Sequence, residues 1–119
     1  MAKILIVDDN HDLADAIAAL LAQCGHDVSV AYDGYEALSK ASADAPQSVL
    51  LDIEMPSIDG VEVARRLREE YGSSVRIVAC TAYPYATIQG RCRDAPFDAV
   101  LVKPARVEDI VEALTGGSA

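Results

Sequence analysis

Asp8 and Asp9 follow the apolar run 4–7, Asp52 follows 49–51, Thr81 follows 77–80 and Lys103 follows 99–102. If those runs are neighbouring parallel strands, all five polar side chains project from one edge of a sheet. Carboxylates crowded together raise one another's pKa, so three of them converging need compensation, which a hard divalent cation bound through oxygen atoms supplies. Mg²⁺ suits such a set because it keeps several waters and leaves room for a phosphoryl oxygen, with Mn²⁺ as the alternative. In the presence of the ion, a carboxylate acts as nucleophile toward phosphorus while a hydroxyl and an ammonium group spread the charge on the equatorial oxygens. Thr81 and Lys103 are the hydroxyl and the ammonium. Each residue also has a plainer reading. Asp8, Asp9 and Asn10 could cap a first helix, Thr81 could be a strand-end hydroxyl and Lys103 a surface lysine. Their joint placement at four strand ends favours the chemistry. His11 and His26 are expected to be surface residues without catalytic roles.

The elements that must position these residues alternate along the chain. Unbroken apolar runs are the pattern of parallel strands covered on both faces, so 4–7, 49–51, 77–80 and 99–102 are expected to be central or near-central. Val28-Ser29-Val30 alternates instead and is placed at an edge. Between them lie helical periods. Leu13, Ile17, Leu20, Leu21 and Cys24 form one stripe, stopped by Gly25. Asp33 and Glu36 have the form of a capping box opening a helix that buries Ala37, Leu38 and Ala41. Val63, Leu67 and Tyr71 form a third stripe, backed by Glu62/Arg66, Arg65/Glu69 and Arg66/Glu70 pairs. Val107, Ile110, Val111 and Leu114 form the last. Residues 84–94, with Thr87 and Gly90 and no clean stripe, predict the least regular and most mobile helix. Five strands each followed by a helix give (βα)5, an α/β doubly wound parallel sheet with helices on both faces. Ligands on such sheets bind outside the carboxyl ends of the strands.

The 119 residues, 51% hydrophobic and 24% charged, fit one globular core, read as a single domain over 1–115 with a flexible tail over 116–119. The apolar runs are far shorter than the ~20 residues a membrane span needs, so no membrane insertion is expected. No secretory signal precedes residue 4, which predicts a cytoplasmic location. Cys24, Cys80 and Cys92 are too few and too irregularly spaced for a disulfide framework or a zinc site, and are read as reduced and mostly buried. A formal charge of −9 repels phosphate backbones and excludes direct nucleic-acid binding by this chain alone; its partners should be proteins and cations.

Four stretches carry a more specific reading: Ile6-Val7-Asp8-Asp9-Asn10, Leu50-Leu51-Asp52-Ile53-Glu54-Met55-Pro56 running to Asp59-Gly60, Cys80-Thr81-Ala82, and Val102-Lys103-Pro104. In this order and at these strand ends, they resemble the receiver domain of two-component response regulators, over residues 3 to about 114. The resemblance implies the flavodoxin-like strand order 2-1-3-4-5. It implies that Asp52 takes a phosphoryl group from a phosphohistidine on a histidine kinase or histidine phosphotransfer protein, and that the domain then switches to a downstream protein. Such a domain catalyses its own phosphorylation and slow dephosphorylation. By the same resemblance Asp8 and Asp9 hold Mg²⁺ with Asp52 and the backbone carbonyl of Glu54, Thr81 and Lys103 grip the phosphoryl oxygens, and the Lys103–Pro104 peptide is cis.

The chain also departs from that pattern. Receivers commonly carry an aromatic residue three positions before the strand-five lysine, and its inward turn accompanies movement of the threonine hydroxyl. Val100 stands there, so the usual coupling to the face of the fourth helix, fifth strand and fifth helix lacks its ring. In this the stretch is more similar to receivers of hybrid sensor kinases, or to stand-alone regulators, than to those of transcription factors. Pro96 replaces a common glycine and should stiffen the entry to strand five. Tyr83 is expected to overhang the site and to take over part of the reporting role. Glu54 and Tyr83 occupy positions that in this family tune water access, which predicts slow self-dephosphorylation. Gly60 is read as a conformational requirement of the turn into the third helix.

Two other classes compete. An aspartyl-phosphate phosphatase-type enzyme also uses an Asp, Mg²⁺, Thr and Lys, but its nucleophile ends the first strand with a second Asp two residues later. Here Asp8, Asp9, Asn10 and His11 break that pattern. A flavodoxin-like cofactor binder needs a phosphate-cradling loop after strand one, where Asp8 and Asp9 would repel the phosphate.

Overall fold

Valine, isoleucine and leucine dominate the strands because branched side chains pack well on a pleated surface. The computed structural model describes residues 3–55, 58, 60–82 and 97–116. Its strands are β1 (Lys3–Val7), β2 (Asp27–Ala31), β3 (Ser48–Asp52), β4 (Arg76–Thr81) and β5 (Ala99–Val102). All pair in parallel, in the expected order β2-β1-β3-β4-β5. The described helices are α1 (His11–Gln23), α2 (Gly34–Ala43), α3 (Gly60–Tyr71) and α4 (Val107–Thr115).

Alternation along each strand sends side chains into two layers. On one face Leu5, Val7, Val49, Leu51 and Ile77 pack with Ala37, Ala41, Val63, Ala64 and Leu67 of α2 and α3. On the other, Ile4, Ile6, Leu50, Val78 and Cys80 meet Ala14 and Leu21 of α1 and Ile110 and Leu114 of α4. β3 is buried at every position, and β2 alternates as an edge strand should. β5 is the opposite edge, as the order 2-1-3-4-5 requires, although its unbroken apolar run reads as central or near-central; its residues are at most half-buried and Val102 is 43% exposed. An apolar run reports cover over two faces, not hydrogen-bonded neighbours on two sides. Val100 faces Ile53, Val61 and Ala79, while Ala99 and Leu101 lie toward α4, so both faces of β5 are apolar on a strand paired only with β4 among the described residues.

The helix ends follow their sequence signals. The Asn10 side chain accepts the Leu13 N–H, and α1 stops before Gly25, whose φ of 92° suits glycine. Asp33 accepts the Glu36 N–H as the capping box expects, whereas Glu36 reaches back one residue further than the box, accepting the Tyr32 N–H instead of that of Asp33. The face of α1 differs from expectation. Ala14 and Leu21 are buried with Ile17 and Ala18 beside them, whereas Leu13 and Leu20 are 37% and 40% exposed and Cys24 is exposed. Ala14 and Ala18 let the helix lie close to the sheet beside Leu21, and Leu13 and Leu20 fall to the outside. α3 buries Val63 and Leu67 with Tyr71 half-buried, and Glu62 pairs with Arg66 at 3.0 Å. α4 buries Ile110 and Leu114 and leaves Val107 at its margin.

Gly60 has no positive φ. A Cβ there would lie 2.5 Å from the Asp52 carbonyl oxygen and 2.7 Å from the Ile53 Cα, so close backbone approach, rather than a turn conformation, requires the glycine. Cys80 is a buried free thiol, as expected, whereas Cys24 is free but exposed. The expected helix over 84–94, Cys92, Pro96 and the end of the tail lie outside the described residues. No helix among the described residues is long and apolar enough to cross a membrane.

Candidate functional site

Strand register brings the polar residues together. Val7 pairs with Leu51, Asp52 with Cys80 and Thr81 with Val102, so the residues that end β1, β3, β4 and β5 stand side by side. Asp8 Oδ1 accepts the Asn10 N–H at 3.0 Å, and its Oδ2 lies 3.2 Å from Lys103 Nζ. Asp52 Oδ1 accepts the Glu54 N–H at 3.1 Å and lies 3.5 Å from the same ammonium. Asp9 is exposed beside them, whereas Asp8 and Asp52 are buried. The Lys103 N–H donates to the Thr81 carbonyl, fixing the base of that side chain, and the Lys103–Pro104 peptide is cis as the resemblance implied.

Asp8, Asp9 and Asp52 each offer a carboxylate oxygen within 4.8 Å of the others. This set suits a hard divalent cation, being all oxygen, open on the Asp9 side and opposed by a single ammonium. Burial pushes the Asp52 carboxyl up to about 7; Lys103 pulls against this, and Asp8 adds to it. Burial alone would lower the Lys103 pKa, but Asp52 and Asp8 outweigh it and raise it. The two directions agree physically, because the lysine is shared by two carboxylates and cannot fully compensate either. Burial likewise pushes the Cys80 thiol up to about 11, leaving it a protonated and weakly nucleophilic neighbour. A cavity of about 360 Å³, lined by Leu13, Ile17, Cys80, Pro104 and Ile110, leads up to Asp8, Asp52 and Lys103.

Thr81 lies at the end of β4, and its hydroxyl donates to Glu54 Oε2 at 2.8 Å; the Ala82 N–H donates to Glu54 Oε1 at 3.1 Å. Sequence reasoning assigned Glu54 a carbonyl ligand and an effect on water access but missed this carboxylate bridge between β3 and β4. The two-residue spacing from Asp52 places Glu54 in the turn, but nothing in the spacing gives the direction of its side chain. Val100 is half-buried against Ile53, Val61 and Ala79, with Phe97 packed on the same cluster. His11 is exposed and stacks on Tyr32, whose hydroxyl donates to Asp15. Tyr83, Pro56 and Asp59 lie outside the described residues.

The family model described as "Response regulator receiver domain" matches residues 4–115, and the chain belongs to that family. It is therefore a phosphoacceptor signalling domain of the two-component type, and nothing in the comparisons supports the phosphatase alternative. The chain is similar to the response regulator MprA of Mycobacterium avium (strain 104), 35% identical over 109 residues, covering 92% of this chain and 47% of that protein. It is also similar to the hybrid signal transduction histidine kinase L of Dictyostelium discoideum, 34% identical over 121 residues, covering 96% of this chain and 7% of that protein. The chain thus spans less than half the length of these curated relatives. Among solved structures, the response regulator protein TrrA from Thermotoga maritima, in complex with Mg(2+)-BeF, superimposes with a TM-score of 0.86 at 30% identity, covering 99% of this chain and 100% of that one.

Proposed function

We propose that Asp52 is the phosphoacceptor, that it takes a phosphoryl group from a histidine kinase or histidine phosphotransfer protein, and that the domain then switches to a downstream protein partner. The observation that carries this reading is the buried Asp52 carboxylate, held by the Glu54 N–H and Lys103 beside Asp8 and Asp9. Asp8, Asp9, Asp52 and the Glu54 backbone carbonyl would hold Mg²⁺, or Mn²⁺, which when bound neutralises carboxylate and phosphoryl charge. An Asp52 carboxylate oxygen attacks phosphorus, the Oδ–P bond forms as the P–N bond to the donor imidazole breaks, and the electron pair returns to the imidazole. Lys103 follows the developing charge on the phosphoryl oxygens, and Thr81 supplies a hydroxyl from the adjacent strand. Self-catalysed phosphorylation from small donors and slow hydrolysis follow from the same parts, with Glu54 and Tyr83 limiting water. Residues 1–115 form the working domain. A net charge of −9 directs the domain to proteins rather than to nucleic acid, and a cytoplasmic setting suits it.

The test is incubation of the protein with Mg²⁺ and a small phosphodonor. Uptake of one phosphoryl group is expected in the wild type, and none in Asp52→Ala. Uptake undiminished in Asp52→Ala would overturn the assignment.

A further inference from the structure

Two backbone-anchored donors at the end of β4, the Thr81 hydroxyl and the Ala82 N–H, are each bonded to a different oxygen of the Glu54 carboxylate. β4 is the immediate neighbour of β3, and Asp52 pairs with Cys80, the residue before Thr81. The donors therefore lie next to the carboxylate that would carry the phosphoryl group. A phosphoryl group on Asp52 brings oxygens that need hydrogen-bond donors from the same quarter, and one donor cannot serve two charged acceptors at full strength. The geometry points to Glu54 as an internal latch: its carboxylate stands in for the phosphoryl oxygens on Thr81 and Ala82, and must leave before they can be bound. This rests on the reading of Asp52 as phosphoacceptor and deepens it. Glu54 is only half-buried, so on release its carboxylate can turn into water without a large desolvation cost. The latch favours the unphosphorylated arrangement of the β3 and β4 ends, and its release makes phosphorylation a competition between two anions for one pair of donors.

Beryllofluoride with Mg²⁺, titrated against the whole chain and followed by the Ala82 amide resonance, tests this. Loss of a charge-assisted competitor in Glu54→Ala is expected to tighten beryllofluoride binding about tenfold, and Glu54→Gln, neutral but of similar size, about threefold. In a Thr81→Val background the gain from Glu54→Ala should shrink to about threefold or less, since half of the latch is already gone. Binding by Glu54→Ala and Glu54→Gln no tighter than wild type overturns the latch, as does a gain undiminished by Thr81→Val, which would make Glu54 a remote charge only. A wild type that takes up no beryllofluoride overturns the phosphoacceptor reading together with the latch, whereas normal uptake with unchanged variants overturns the latch alone.

Discussion

At Asp52, burial and function pull in opposite directions. The carboxylate is only 4% exposed, and Lys103 divides its charge between Asp52 and Asp8. A carboxyl raised from 3.8 to about 7 binds a proton more tightly in the folded chain than in the unfolded one. Its contribution to stability is therefore fully present below the unfolded value and is lost as pH rises through the folded one. In metal-free buffer, the urea midpoint of the wild type should fall as pH is raised from about 4 to about 8. Asp52→Asn should remove most of that fall and be the more stable protein above neutrality; an equal fall in both proteins would show that another group is responsible. Asp8, Asp52, Thr81 and Lys103 could be read from the sequence because each is the first polar position after an apolar run, with Asp9 next to Asp8, so topology alone sets their place. The Glu54 bridge could not, because it depends on the rotamer of a turn residue.

Strand existence was legible for the same reason, as β1, β3 and β4 are apolar runs cut off by a polar residue. The edge position of β5 came from the resemblance and not from its hydrophobic pattern, since its covered faces imitate those of a central strand. α1 shows a different limit. Leu13, Ala14, Ala16, Ile17, Ala18, Ala19, Leu20, Leu21 and Ala22 place apolar groups all round the helix, so more than one stripe satisfies the helical period. Close packing on the sheet decides between them, and it selects small residues at the contact. Ala14→Leu should thus destabilise the fold by about 1–3 kcal/mol through overpacking, although it adds helix-forming apolar surface. Leu20→Ala, at a 40% exposed position, should change stability by about 0.5 kcal/mol or less. Denaturant midpoints of the two variants check both, and the reverse order would restore the leucine stripe as the buried face.

Over the whole molecule, the sheet works as a rigid frame that holds repelling carboxylates at aligned strand ends within a chain of net charge −9. Folding brings them together against their mutual repulsion, so a divalent cation bound only by the folded state should raise its stability, by about 2.7 kcal/mol at 100 times the dissociation constant. Thermal unfolding with and without Mg²⁺ should show this increase. Asp9→Asn should lose most of it while keeping the metal-free midpoint near that of the wild type, because Asp9 is exposed and contributes to the site rather than to the core. An undiminished Mg²⁺ response in Asp9→Asn would place the ion elsewhere. Three neighbouring carboxylates compete for the phosphoryl group, and reductive trapping separates them. Borohydride converts an aspartyl phosphate to homoserine, and peptide mass analysis after reaction with Mg²⁺ and a small phosphodonor locates it. Homoserine is predicted at position 52 alone; homoserine at position 8 or 9, or none in protein that has taken up phosphate, would contradict the account.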